Sequence, residues 1–137
     1  MTVPSLDEAV KHVTATNPTY AVDTADIRGV SFKVFTNIPG TTRDLLRASE
    51  AIQAGRPYLT FLDETWDYGE FCCDIKRMST ILRERFDVSK GQPVAIAMRN
   101  CPELLILMMA ITSIGGVAVF LNAWWTTEEL DYAVRDS

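Results

Sequence analysis

The sequence predicts an α/β chain: a partial parallel-sheet βαβ unit preceded by a helical and β-hairpin region. Two observations carry this. Val94–Met98 and Val117–Leu121 are short, wholly apolar and rich in β-branched residues, as strands of a covered parallel sheet are. Between them, Leu104–Ile114 is apolar nearly all round, the pattern of a buried helix, and Gly115-Gly116 breaks it before the second strand. Two parallel strands joined through a helix need a right-handed crossover.

The amino-terminal half is built from local signals. Ser5-Leu6-Asp7-Glu8 is a capping box, in which the Ser hydroxyl and the Glu carboxylate each satisfy one free backbone N–H. Leu6, Ala9, Val10 and Val13 then share one helical face, and Asn17-Pro18 ends the helix. Residues 19–40 read as mostly irregular, with a short strand where Val30, Phe32 and Val34 alternate and a turn at Asn37–Gly40. Thr41–Asp44 opens a second helix with an inner stripe of Leu45, Ala48, Ser49 and Ile52 and Gly55 as its terminator. Tyr58–Leu62 followed by Asp63-Glu64 and Thr65-Trp66 reads as a β-hairpin. Asp67, with Glu70 three residues on, caps the clearest amphipathic helix, whose apolar positions are Phe71, Ile75, Met78, Leu82 and Phe86.

Ser89-Lys90-Gly91 turns the chain into Val94–Met98. Asn100 is a candidate N-cap of the central helix, with Pro102 in its first turn and Glu103 at the capping-box position. After the second strand, Asn122 closes the run. Thr126-Thr127-Glu128-Glu129 then caps a last helix with Leu130, Ala133 and Val134 inward. The expected organisation is one partial domain, residues 1–137. Its parts are helices and loop over 1–56, then hairpin, helix and βαβ core over 57–137. The helix at 126–137 stops without a glycine cap or a tail, which suggests the front piece of something longer.

Leu104–Trp125 holds no charge in 22 positions, so a membrane span competes with the βαβ reading. The competing reading suffers from Gly115-Gly116 in mid-run and the strand-forming Val117 and Val119 after it. Its uncharged helical part is 11 residues, roughly 16 Å at 1.5 Å per residue. No integral span is therefore expected. Thirteen Lys and Arg against 18 Asp and Glu give a net charge of −5, and no basic run exceeds two residues, which opposes a nucleic-acid partner. The amino terminus carries acids where a secretory signal would be basic. Cys72, Cys73 and Cys101 read as reduced thiols of a cytoplasmic protein. One histidine, His12, and no Cys-x-x-Cys leave no metal site, and no Ser/His/Asp set converges. Glu128 and Glu129 are adjacent on a helix, do not face each other, and suit a helix N-terminus.

Four stretches in order carry a resemblance: W-D-Y-G-E-F; K-G-Q-P-V-A-I-A-M-R-N-C-P-E-L; A-I-T-S-I-G-G-V-A-V-F-L-N-A-W-W; and E-E-L-D-Y-A-V-R-D-S. Together they resemble the front part of the large amino-terminal domain of adenylate-forming (AMP-binding) acyl-CoA ligases. The likeness covers about residues 30–137 and is strongest from 65 onward. Trp124 and Trp125 after Asn122 look most like the fatty-acyl and aliphatic-acid branch. Asp67, Gln92-Pro93 and Gly116 depart from the family pattern at surface or turn positions. The resemblance implies a parent enzyme that joins a carboxylic acid, in this branch a fatty acid, to the α-phosphate of ATP with Mg²⁺. It releases pyrophosphate and passes the acyl group to CoA. The phosphate loop, ribose-binding acid and catalytic lysine of such enzymes lie downstream, and no G-x-x-x-x-G-K occurs here. The fragment itself is therefore expected to hold no catalytic residue, metal or cofactor, and to be inactive. A free-standing interaction or oligomerisation module is the alternative. An incomplete sheet leaves apolar surface to cover, so a homo-oligomer is expected. Asn122 and Trp124, just past the carboxyl end of a buried parallel strand, are the candidate substrate-binding residues.

Overall fold

The computed structural model describes residues 5–137. The chain falls into two units, residues 1–39 and 40–137.

In the first unit, helix α1 (Leu6–Thr16) starts on the expected capping box. The Ser5 N–H donates to Glu8 Oε2 at 2.8 Å and the Glu8 N–H to Ser5 Oγ at 3.3 Å. These bonds hold the Glu8 carboxyl below its ordinary pKa, because they favour the charged form. The helix stops at Asn17, whose Oδ1 accepts the Thr19 N–H of a single 3₁₀ turn, Pro18–Tyr20. The stretch expected to be mostly irregular is instead a regular hairpin, β1 (Val22–Ile27) against β2 (Val30–Phe35). Arg28 and Gly29 turn it with φ of 55° and 82°, and positive φ at both positions is the twist-matched hairpin turn. Its apolar cross-strand pairs Ala25–Phe32 and Ile27–Val30 share one face. The expected inner face of α1 finds no cover: Leu6, Val10 and Val13 are exposed and only Ala9 is partly buried.

The second unit holds the core. Helix α2 (Thr42–Gln53) is capped by Thr41, whose hydroxyl oxygen accepts the Asp44 N–H at 3.1 Å. Its inner face is Leu46, Ser49 and Gln53; of the expected stripe only Ser49 lies on it, and Leu45, Ala48 and Ile52 are exposed. Gly55 does not enter the left-handed region. The turn closes instead through the Arg56 N–H on the Gln53 carbonyl at 2.8 Å. Hairpin β3 (Pro57–Phe61) and β4 (Glu64–Asp67) turns at Leu62-Asp63, one residue earlier than the composition suggests. Helix α3 (Tyr68–Phe86) begins on the Asp67–Glu70 capping box. Phe71, Cys72, Ile75 and Leu82 are buried along it, but Phe86 is exposed. It precedes Asp87, whose left-handed φ of 54° ends the helix.

Strand β5 (Pro93–Ala97), helix α4 (Pro102–Ser113) and strand β6 (Val117–Leu121) form the expected parallel βαβ unit, with Val94 opposite Ala118 and Ala97 opposite Leu121. Phe71, Ile75, Leu82, Ile96, Ile106, Ala110 and Ile111 make one buried cluster between α3, α4 and the sheet. On the face opposite the core, Ala95, Ala97 and Val117 are exposed, while Leu121 at the carboxyl end of the same face is buried. Cys101, not Asn100, caps α4, and it makes no side-chain cap bond. Its own backbone N–H, and then the Cys101 side chain, favour the charged Glu103 carboxylate and hold its pKa below the ordinary value. The end of α4 is a complete Schellman motif: Gly115 has φ 83°, its N–H donates to Thr112 O at 3.1 Å, and the Gly116 N–H donates to Ile111 O at 2.9 Å. Helix α5 (Thr127–Asp136) carries a Thr126–Glu129 capping box; Leu130 and Ala133 are partly buried, while Val134 is exposed. Among the described residues, no helix is long and apolar enough to cross a membrane.

Candidate functional site

Parallel strands end side by side, so β5 and β6 deliver their carboxyl-terminal loops to one edge. The loop after β5 is Met98-Arg99-Asn100, and the loop after β6 is Asn122-Ala123-Trp124-Trp125. Between them lies an open depression of about 560 Å³, lined by Met98, Arg99, Leu104, Phe120, Asn122 and Trp124 among others. This is the edge where open α/β sheets gather ligands.

Both sequence-predicted site residues lie on this depression, in different roles. The Asn122 side chain folds back on its own loop, with Oδ1 accepting the Trp124 N–H at 2.9 Å. Its carbonyl accepts the Trp125 N–H at 3.1 Å. Asn122 therefore acts as the anchor of a tight turn, the ordinary use of an Asn side chain. That turn presents Trp124, which is 73% exposed. A group the sequence reasoning missed meets it there: the Arg99 guanidinium sits 4.3 Å from the Trp124 ring centroid. A cation over an indole face is an attractive pair, of about 0.5–1 kcal/mol at an exposed site. The sequence alone does not pair the two loops; the register does. Arg99 lies two residues past Ala97, and Ala97 pairs with Leu121, so the register brings the two loops abreast.

The site offers a flat aromatic face, a fixed positive charge and an apolar wall from Met98, Leu104 and Phe120. These groups bind and orient; none can act as nucleophile or general base. Cys72 is no alternative, since it is buried and its burial raises the thiol pKa away from the reactive thiolate. Among the described residues, no group of three or more His, Cys, Asp or Glu is placed to hold a metal ion. Gly115-Gly116 is occupied in ending α4. Among the described residues, these groups therefore do not by themselves fit a nucleoside triphosphate with its Mg²⁺.

Residues 46–137 match the family model described as AMP-binding enzyme, which is more than half of the chain. A very long-chain fatty acid transport protein of Cochliobolus heterostrophus is 39% identical over 70 residues, covering 51% of this chain and 11% of that protein. A long-chain-fatty-acid–CoA ligase of Bacillus subtilis is 26% identical over 97 residues, covering 71% of this chain and 17% of that protein. The chain thus spans less than a fifth of the length of either relative. The crystal structure of the N-terminal domain of FACL13 from Mycobacterium tuberculosis superimposes with a TM-score of 0.67 at 22% identity, over 71% of this chain and 25% of that one. At that identity the likeness is one of fold. The mixed α/β architecture is that of the amino-terminal subdomain of adenylate-forming enzymes, and the chain belongs to the AMP-binding enzyme family.

Proposed function

We propose that the chain is the front segment of an ATP-dependent acyl-CoA ligase and is inactive alone. In the parent protein a carboxylic acid, most simply a fatty acid, is joined to the α-phosphate of ATP with Mg²⁺. Pyrophosphate leaves, and the acyl group passes to the thiol of CoA. The observation that carries this reading is the family match over residues 46–137, which coincides with the unit that holds the βαβ core. The printed name of the Bacillus subtilis relative supports the substrate class. In this reading β5, α4 and β6 supply part of the sheet and one wall of the cleft. Asn122 shapes the turn, and Trp124 with Arg99 faces the substrate side. The nucleotide and metal are held by residues outside this chain, and the parent works in the cytoplasm.

ATP–pyrophosphate exchange tests both parts. The 137-residue chain should give no exchange with carboxylic acids from acetate to palmitate, and exchange by it alone would overturn the inactivity. The longer product of its reading frame should catalyse exchange with at least one of these acids. No activity from a folded longer product would overturn the ligase reading.

A second reading is an interaction module that self-associates, and exposed apolar surface on the sheet favours it: Val117 on one face and Phe120 on the other are about half exposed. Sedimentation equilibrium separates the two in part. Only compact monomer at high concentration would remove the oligomer.

A further inference from the structure

A second depression, of about 360 Å³, lies at the other end of α4, between α2, α3 and the α4 carboxyl terminus. Its floor is apolar, with Leu46, Ile75 and Ile114. Four cationic side chains line it against a single carboxylate, in a chain whose net charge is −5. That carboxylate, Glu50, is paired with Lys76 at 2.7 Å. Arg43 donates from Nε to the Ser113 carbonyl at 2.9 Å, at the negative end of the helix dipole. The remaining two, Arg47 and Arg83, form no ion pair or side-chain hydrogen bond among the described residues. The Ser113 hydroxyl on the same rim is buried with no hydrogen-bond partner.

Two free guanidinium groups beside apolar side chains are complementary to one kind of molecule. The head must be anionic, because guanidinium binds carboxylates in a fixed fork. The body must be apolar and narrow, because the volume is at the small end for ligand pockets. We propose that this groove is a binding site for a medium-chain alkyl carboxylate. Arg47 and Arg83 hold the carboxylate, and the chain lies along Leu46, Ile75 and Ile114. The site is separate from the strand-end depression, since α4 is 12 residues long, roughly 18 Å at 1.5 Å per residue. It stands on the groove's own residues and does not depend on the ligase reading.

Calorimetric titration of the 137-residue chain with monomeric decanoate tests it. Saturable binding is expected, at least tenfold tighter than decanol, which has the chain without the charge. Arg47→Gln with Arg83→Gln should weaken decanoate at least tenfold, and Arg47→Lys with Arg83→Lys, which keeps the charge without the fork, should weaken it by less than the Gln pair. Thermal melts accompany each variant; should the double Gln variant fail to fold, Arg83→Gln alone must weaken binding at least threefold. The proposal is overturned by absence of saturable decanoate binding, by equal affinity for decanol, or by affinity unchanged in the Gln variants. Displacement of decanoate by equimolar inorganic phosphate would overturn it too, as would binding only to anionic phospholipid vesicles.

Discussion

Replacing Gly115 by alanine tests how the βαβ unit is terminated and turned. Gly115 holds φ 83°, in the left-handed region. An L-residue with a Cβ costs roughly 1–2 kcal/mol there. The unfolded chain of the variant has less freedom to lose, which returns about 0.4–1 kcal/mol. The new Cβ would lie 3.1 Å from Lys90 Cγ, part of an exposed and flexible side chain that can move aside. The net expectation is a loss of about 1 kcal/mol, or roughly 4–8 °C in Tm for a unit of this size. Gly115→Asn should lose about half as much, because asparagine tolerates this conformation better. Urea unfolding followed by far-UV circular dichroism reads both variants, with an unchanged slope showing that stability alone has moved. An alanine variant as stable as the parent would refute the reasoning, since the Schellman closure would then not depend on the glycine.

Ile111→Ala should cost about 2–5 kcal/mol by urea unfolding, because Ile111 is fully buried in the α3–α4 cluster. Ile52→Ala should stay within about 0.5 kcal/mol, since that side chain is 76% exposed. Iodoacetamide at mild alkaline pH should modify exposed Cys73 at least tenfold faster than its buried neighbour Cys72, as counted by mass spectrometry; equal rates would contradict the burial. The Glu129 carboxyl is held below its ordinary pKa by its bonds to the Thr126 N–H and hydroxyl. A group lowered in the folded state stabilises fully above its unfolded pKa and loses that contribution as pH falls through the folded value. Acidification from neutral through the carboxylate range should therefore fray α5. Thr126→Ala should blunt that step in amide exchange over residues 127–131, and superimposable acid limbs would count against the capping box.

The elements that were legible in the sequence are those that carry their own chemistry. The boxes at Ser5–Glu8, Asp67–Glu70 and Thr126–Glu129 all form, because each needs only residues three apart. The βαβ unit was legible because its two strands are continuously apolar and its helix ends on a glycine pair. Hairpin β1–β2 was not. Arg28-Gly29 is an uncommon turn pair, and β1 spaces its apolar residues at 22, 25 and 27, without alternation. Burial was the weakest inference. With Leu45 and Leu46 adjacent, periodicity could not say which faces inward, and the packing of α2 on α3 selects Leu46. At the strand ends, the positions of Asn122 and Trp124 followed from the end of β6. Arg99 emerged only when the parallel register set the two loops abreast.

The β5–β6 sheet has only two strands, so each has a single partner among the described residues and an outer edge with free N–H and C=O groups. In kinetic terms that makes the unit a template. Its pairing closes over the short α4 crossover and α3 packs on α4 from nearby in sequence, so this unit can form early. Any further parallel strand must close a longer loop before it gains contact, which is slow. During that interval the edges and the exposed face around Ala95 and Val117 remain open to strands of other chains. Yield of the chain alone should therefore fall with the concentration and time at which it is held before its edges are covered.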